Sequence, residues 1–390
     1  MSQEKSSAFI FILLLGFVSL CADATYEGAR SITGAYLGVL GASGAGVGLV
    51  AGLGELLSYS LRLLTGFLSD RTRHYWAITT LGYALNTAVV PLMALAGRWE
   101  VLASLMIAER TGKAIRTPPR DVLLSHAAIR VGKGLGFGIH EAMDQIGAVA
   151  GPLMVTTVLA IWGSYPRSFA ILLIPAALGL VVLLIGQRIY PNPRAFEPTT
   201  QDLHREGLPR HFWLYLGAVA FIAAGFVDFP LIAFHLQQQA SLSQPTQIPL
   251  LYALAMGVDA IAALIFGYWF DRFGITTLVI AILLSAGFAP LVFVGGPSFI
   301  VMGMVLWGIG MGAQESMLKA VVAGIVPPER RGSAYGIFNT GYGLAWFLGS
   351  ALMGLLYDFS RGSLIALSVL LQLIAIPFLL WIEQHSRQGE

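Results

Sequence analysis

The sequence predicts an all-α polytopic membrane protein, with twelve transmembrane helices in two six-helix bundles. Three observations carry that expectation. Of the 390 residues, 56% are hydrophobic and only 11% are charged, where a soluble domain carries about 25%. The apolar residues fall in continuous runs of roughly 20, the length that an α-helix needs to cross a bilayer. They do not alternate over short strands, as an outer-membrane barrel requires. A pattern that closes the second run returns at the close of the eighth, about 200 residues later, so the halves of the chain repeat.

Composition also excludes whole classes. A net charge of +2 is too small to drive phosphate binding, so no nucleic-acid partner is expected. The single cysteine, Cys21, builds neither a disulfide framework nor a cysteine zinc site. Glycine, at 45 residues, suits helices that pack closely inside a membrane.

The runs lie near 8–36, 44–69, 75–97, 99–124, 134–160, 166–189, 211–236, 246–270, 274–295, 298–324, 332–357 and 362–384. The first follows a short N-terminus bearing Lys5. Its Val18-Ser19-Leu20-Cys21 stretch resembles a lipoprotein cleavage site, but Leu20 stands where such a site has a small residue. The segment therefore reads as a retained first span and not as a leader. The long polar stretch from Gln187 to His211 holds Pro191, Pro193, Pro198 and Pro209. It divides the chain into an N-terminal bundle (1–189), a cytoplasmic linker (190–210) and a C-terminal bundle (211–390).

Loop lysines and arginines set the orientation. With the N-terminus inside, inner segments carry Lys5, Arg71, Arg73, Arg130, Lys133, Arg188, Arg194, Arg205, Arg210, Arg272, Arg330, Arg331 and Arg387, and outer loops carry Arg98, Arg167 and Arg361. The bias puts both termini in the cytoplasm and the chain in the inner membrane. The repeat pairs Gly66-Phe67-Leu68-Ser69-Asp70-Arg71 with Gly267-Tyr268-Trp269-Phe270-Asp271-Arg272, and Gly134 to Ile139 with Gly332 to Ile337. A parallel six-span repeat is the layout of a transporter.

These residues resemble the major facilitator superfamily over essentially the whole chain. Gly66, Asp70, Arg71 and Arg73 resemble its G-x-x-x-D-R/K-x-x-R/K signature, with His74 departing where a further basic residue is usual. The resemblance implies an inner-side conformational latch, with Asp121 joining it from span 4 and Asp271 and Arg272 as the counterparts. Arg110 is similar to the family's buried span-4 arginine, although Gly112 follows it more closely than usual. In span 5, Gly138, Gly147, Gly151 and Pro152 resemble the antiporter-associated pattern G-x8-G-x3-G-P-x-x-G-G. Its last pair reads Val155-Thr156 here, and span 11 keeps only Gly336, Ala345, Gly349 and Ser350 in its place. The family links this motif to proton-coupled export.

Charge inside the bilayer is the other signal. Each mid-membrane charge costs at least ~2.5–3.5 kcal/mol, so it implies a partner, a wet cavity or a function. Span 1 places Asp23, Glu27 and Arg30 on one helical face. Asp23 and Glu27 are candidates for proton coupling, and Arg30 reads as their structural partner and a cavity candidate. Span 4 carries Glu109, Arg110, Lys113, Arg116 and Arg120. Arg110 and Lys113 are expected to line the substrate cavity, and Arg116 and Arg120 to snorkel to the interface. Glu55 and Arg62 in span 2 read as an internal pair. Span 5 carries His140, Glu141 and Asp144, candidates for a proton relay because histidine titrates near neutrality. Three such groups also resemble a metal half-site, but no metal is expected.

The second half is sparser, with Asp228, Asp259 and Glu315 as cavity candidates. The counterparts of His140, Glu141 and Asp144 are Phe338, Asn339 and Tyr342. Trp307, Phe338, Tyr342 and Trp346 form an aromatic stripe that suits either packing or an apolar substrate body. No phosphate-binding loop and no nucleophile–base constellation is present, so neither ATP nor an enzyme activity is expected. The expectation is a secondary active transporter with no cofactor, driven by the proton gradient. The drug/proton antiporter branch implies a functional monomer in a lipid bilayer, exporting a small organic molecule (a drug or metabolite) by alternating access. The rivals are proton-coupled uptake of an organic anion, and a non-transporting membrane receptor of the same fold.

Overall fold

Apolar runs with few helix breakers become long helices. The computed structural model describes residues 3–191, 208–239, 244–327 and 330–386. Residues 192–207 of the expected linker lie outside the described residues. The helices are α1 (Gln3–Val39), α2 (Gly44–Thr72), α3 (Tyr75–Leu92), α4 (Trp99–Val131), α5 (Lys133–Trp162), α6 (Tyr165–Ile171), α7 (Leu173–Ile189), α8 (Arg210–Gly225) and α9 (Phe229–Gln238). They continue as α10 (Gln247–Phe273), α11 (Ile275–Ser285), α12 (Phe288–Val294), α13 (Pro297–Ile325), α14 (Arg331–Phe359) and α15 (Arg361–Ser386). Among the described residues there is no strand. The protein is thus an all-α polytopic membrane protein.

The helices match the runs read from the sequence, with α6 and α7 sharing one run, α8 and α9 another, and α11 and α12 a third. Ten described segments are long and apolar enough to cross a membrane. The charges of α4 and the small and polar residues of α14 keep those two long helices outside that ten. Large apolar side chains such as Leu64, Phe67 and Leu264 lie exposed on the helices, as a lipid-facing surface requires. Gly132, at φ +122°, joins α4 to α5 directly. Gly163 closes α5 in the left-handed conformation, and the Ser164 side chain then caps α6.

The chain divides into two compact units. One comprises Met1–Thr33 with Leu57–Thr200, the other Gly34–Leu56 with Gln201–Glu390. The tip of the α1–α2 hairpin therefore packs with the second half of the chain. There Gly34 abuts the Pro230 carbonyl, Gly48 abuts the Ser350 carbonyl, and Asp358 accepts the Gly44 and Ala45 N–H groups at 2.9 Å each. A carboxylate on the first N–H groups of α2 satisfies donors that the helix itself cannot.

Glycine sets the closest helix approaches inside each unit. In the first, Gly147 and Gly151 of α5 face the Leu20 and Ala24 carbonyls of α1, and Gly82 of α3 faces the Arg116 backbone of α4. In the second, Gly349 of α14 faces the Ala224 carbonyl of α8, and Gly308 and Gly312 of α13 face the Ala255 and Asp259 carbonyls of α10. The Gly151–Ala24 and Gly349–Ala224 contacts fall at matching places of the repeat, so the two halves are built alike. Gly138 has open space around its Cα and takes no part in such a contact.

Span 7 is broken at Phe226–Asp228, just before Pro230, which cannot donate a backbone hydrogen bond. The carbonyls freed by the break find side-chain donors. Ser368 donates to the Gly225 carbonyl at 2.7 Å, and the Trp307 indole donates to the Val227 carbonyl at 2.9 Å. In a bilayer each unsatisfied carbonyl would cost several kcal/mol.

A methyl group at Gly151 must push α5 off the α1 backbone, whereas one at Gly138 meets nothing. Gly151→Ala is expected to destabilise the protein by about 1–3 kcal/mol, and Gly138→Ala to leave it unchanged or stabilise it by up to about 1 kcal/mol. Thermal unfolding in detergent, followed by intrinsic fluorescence, distinguishes the two.

Candidate functional site

The richest cluster of ionisable groups in the first unit is assembled from α1, α3, α4 and α5. Helical spacing presents Asp23, Tyr26, Glu27 and Arg30 along one side of α1. α4 answers with Arg110, Lys113, Arg116 and Arg120. Asp23 pairs with Arg116 at 3.3 Å, and both side chains are buried. Glu27 pairs with Arg30 at 3.9 Å. Arg30 is thus the partner of Glu27, while a cation from α4 holds Asp23. Glu109 is held by Arg110 at 3.5 Å and by the Asn86 amide of α3 at 2.7 Å.

Two expectations for α4 need correction. Arg116 does not snorkel: its residue is 1% exposed, its guanidinium lies 4.5 Å from the Tyr83 ring centroid, and its Nη2 meets Asp23. The expectation for Arg120 changes as well, since its guanidinium is engaged inside the fold. It pairs with Asp121 at 2.7 Å and Asp144 at 3.8 Å, and donates to Ser19 at 3.1 Å. Acids on α1 and α5 at the same level outweigh the pull of the interface, because an ion pair in low dielectric is far stronger than one in water. In α2, Arg62 donates to Ser58 at 3.4 Å and stacks on Tyr59, and the buried Glu55 belongs to the second unit.

Lys113 reaches Tyr26, its Nζ 2.7 Å from the hydroxyl oxygen and 4.0 Å from the ring centroid. The Tyr26 hydroxyl in turn donates to Asp23 Oδ2 at 3.2 Å. On α5, His140 Nδ1 lies 3.4 Å from Asp144 Oδ2, and Glu141 is exposed. Among the described residues, Arg116 Nε and Nη1, His140 Nε2 and Asp144 Oδ1 are buried without a hydrogen-bond partner. No described group of three His, Cys, Asp or Glu side chains is placed to hold a metal ion.

The latch candidates sit at helix ends. Asp70, Arg71 and Arg73 are exposed, with Tyr75 donating to Asp70 at 3.4 Å and Arg73 ending α2 at φ +58°. A methyl group at Gly66 would meet Pro118 of α4 at ordinary van der Waals distance. Asp121 is engaged by Arg120. In the second unit Asp271 and Arg272 are exposed, with Arg272 donating to Tyr268.

The remaining candidates of the second unit lie in or beside an aromatic core. Asp228 is buried at the start of α9 and accepts from the Trp346 indole at 3.3 Å. Asp259 is buried against Gly312, and Glu315 is exposed. Tyr215, Phe338, Tyr342 and Trp346 form a continuous run of rings, and Phe226 links it to the fully buried Trp307. Tyr342 also donates to Gln314 at 3.2 Å. Trp307 and Phe338 are packed side chains here, and Trp307 serves the break in span 7.

Tyr26, Tyr83, Asn86 and Ser19 were missed in the sequence because each is an uncharged residue in an apolar run. The one available signal was the three-residue spacing of Tyr26 from Asp23.

The fold, the repeat and the buried charges invite comparison with known proteins. The Major Facilitator Superfamily model matches residues 12–350 and 244–390. The chain belongs to the major facilitator superfamily. An uncharacterized protein of Mycobacterium tuberculosis is 43% identical over 382 residues, covering 96% of this chain and 93% of its own. An uncharacterized MFS-type transporter of Methanocaldococcus jannaschii is 28% identical over 364 residues, covering 90% and 89%. Among solved structures, the nucleoside transporter NupG superposes with a TM-score of 0.73 at 15% identity, covering 96% of this chain and 98% of that one. A POT family transporter in complex with 5-aminolevulinic acid gives 0.78 at 14%, covering 97% and 96%. At that identity the solved structures share the major facilitator fold alone.

If Arg116 is there to neutralise Asp23, removing it alone leaves a buried unpaired carboxylate. Arg116→Met is expected to cost about 3–5 kcal/mol. Adding Asp23→Asn is expected to recover at least half of that loss, measured as a double-mutant cycle on thermal stability.

Proposed function

We propose that this major facilitator protein is a proton-coupled antiporter that exports a small organic molecule, a drug or metabolite, by alternating access. It sits in the cytoplasmic membrane with both termini inside, acts as a monomer and needs no cofactor beyond the proton gradient. The observation that carries the reading is the convergence of two carboxylates, Asp23 of α1 and Asp144 of α5, on one basic face of α4. Arg116 and Arg120 contact them at 3.3 and 3.8 Å. The motif glycines Gly147 and Gly151 hold α5 against α1 at Leu20 and Ala24, the level of those acids.

In this reading a proton and the substrate compete for the acid–base network. A proton on Asp23 or Asp144 frees the facing arginine from its ion pair and changes the charge that a substrate meets. Taking up a proton on the outer side releases cargo. Losing it inside, where pH is higher, restores the paired state. The partly open Asp144, with Oδ1 unpaired and His140 beside Oδ2, supplies a second proton-accepting position.

Everted membrane vesicles acidified inside by respiration, loaded with a pH-sensitive dye, test the reading. A panel of lipophilic cations, organic anions and divalent metals is added outside. Dye recovery with one compound, absent in vesicles lacking the protein, is the expected result. Asp23→Asn and Asp144→Asn are each expected to abolish it. Full recovery in both variants overturns the assignment. Recovery with no compound, joined to proton-driven accumulation of an organic anion by whole cells, turns the reading to uptake through Arg110 and Lys113.

A further inference from the structure

One short polar contact between α1 and α4 in this cluster involves neither an acid nor an arginine. Lys113 Nζ lies 2.7 Å from the Tyr26 oxygen, and the Tyr26 hydroxyl lies 3.2 Å from Asp23 Oδ2. A lysine ammonium only donates, so the tyrosine oxygen accepts from Lys113 while its own proton points at Asp23. Tyr26 is therefore a one-residue bridge between a removable proton and a carboxylate. Its ring is enclosed by Arg110 and Arg116 of α4, with centroid distances of 5.9 and 5.7 Å. Glu27 on its own helix and Asp144 from α5 are the further charges that act on it.

We infer that Tyr26 relays the proton between Lys113 and Asp23, an inference that rests on the proton-coupling reading above. The transfer is a single concerted shift. The Lys113 ammonium gives a proton to the Tyr26 oxygen as the Tyr26 hydroxyl proton passes to Asp23. The bond from Lys113 nitrogen to its proton breaks, and the bond from Asp23 oxygen to the incoming proton forms. The products are a neutral amine, an intact tyrosine and a neutral carboxylic acid. No charged tyrosine forms; the Lys113 and Asp23 charges are neutralised together, and Arg116 is left without its acid, which releases the ion pair that ties α1 to α4. Arginine could not serve in place of Lys113, because its guanidinium does not give up a proton.

The test needs no substrate. Full-length protein in lipid nanodiscs is given protons by flash photolysis of a caged acid, and carboxylic-acid infrared absorption is followed in time. The band lost in Asp23→Asn reports that carboxyl. In Tyr26→Phe the ring and its cation contacts remain and only the hydroxyl goes. The band is expected to rise about a hundredfold more slowly, with its final amplitude kept. Lys113→Arg, which keeps the charge and a donor, is expected to slow it likewise, and unchanged melting temperatures exclude misfolding as the cause. An unaltered rate in Tyr26→Phe overturns the relay and leaves the proton-coupling reading standing. Absence of any band assigned to Asp23 overturns the relay as well, and absence of bands from both Asp23 and Asp144 overturns that reading itself.

Discussion

A charge placed among lipid chains must find its counter-charge inside the fold, and the first unit is organised around that need. α4 carries four cations within three turns, more than a hydrocarbon environment tolerates unaided. Acids arrive from α1 and α5, an amide from α3, and two tyrosine rings supply their faces to the guanidinium and ammonium groups. Once these partners are fixed, the registers of α1, α3 and α5 against α4 are fixed too. A helix slipped by one residue would strand at least one buried ion.

Close approach makes such short side-chain links possible. Where Gly147 and Gly151 meet α1, and Gly82 and Gly112 interlock α3 with α4, backbone lies almost on backbone. Short residues such as Asp23, Asn86 and Asp144 can then reach partners on neighbouring helices. The same glycine geometry recurs in the second unit at Gly349, Gly308 and Gly312, but around aromatic rings instead of ions. The repeat thus conserves backbone spacing while the side chains diverge: His140 and Asp144 in one half answer to Phe338 and Tyr342 in the other. The first unit thus gathers its buried charges around α4, and the second gathers aromatic rings.

The hairpin tip that joins α1 to α2 obeys a third rule. Its glycines allow it to lie on Pro230 and Ser350, and the exposed helix N-terminus at Gly44 is neutralised by the Asp358 carboxylate. A segment continuous with the first unit is in this way held by the second.

What the sequence determined by itself is what depends on local composition. Run length and low charge give helices that span a membrane, because no polar solvent is available to unpaired backbone. The returning Gly-x-x-x-Asp-Arg pattern gives the repeat, and the motifs in spans 2 and 5 give the family. Even the helix faces of α1 and α4 were legible, since they follow from 3.6 residues per turn. Partner choice was not. Arg116 looked like an interfacial arginine and is buried on Asp23; Arg30 looked like the partner of both α1 acids and serves Glu27. Tyr26 gave no charge to notice, yet it links Lys113 to Asp23. Those pairings depend on the depth and rotation of one helix against another, which long-range packing sets at the glycine contacts. Only the tertiary structure could decide them, because the energy that selects a partner falls with a distance that the linear sequence does not contain.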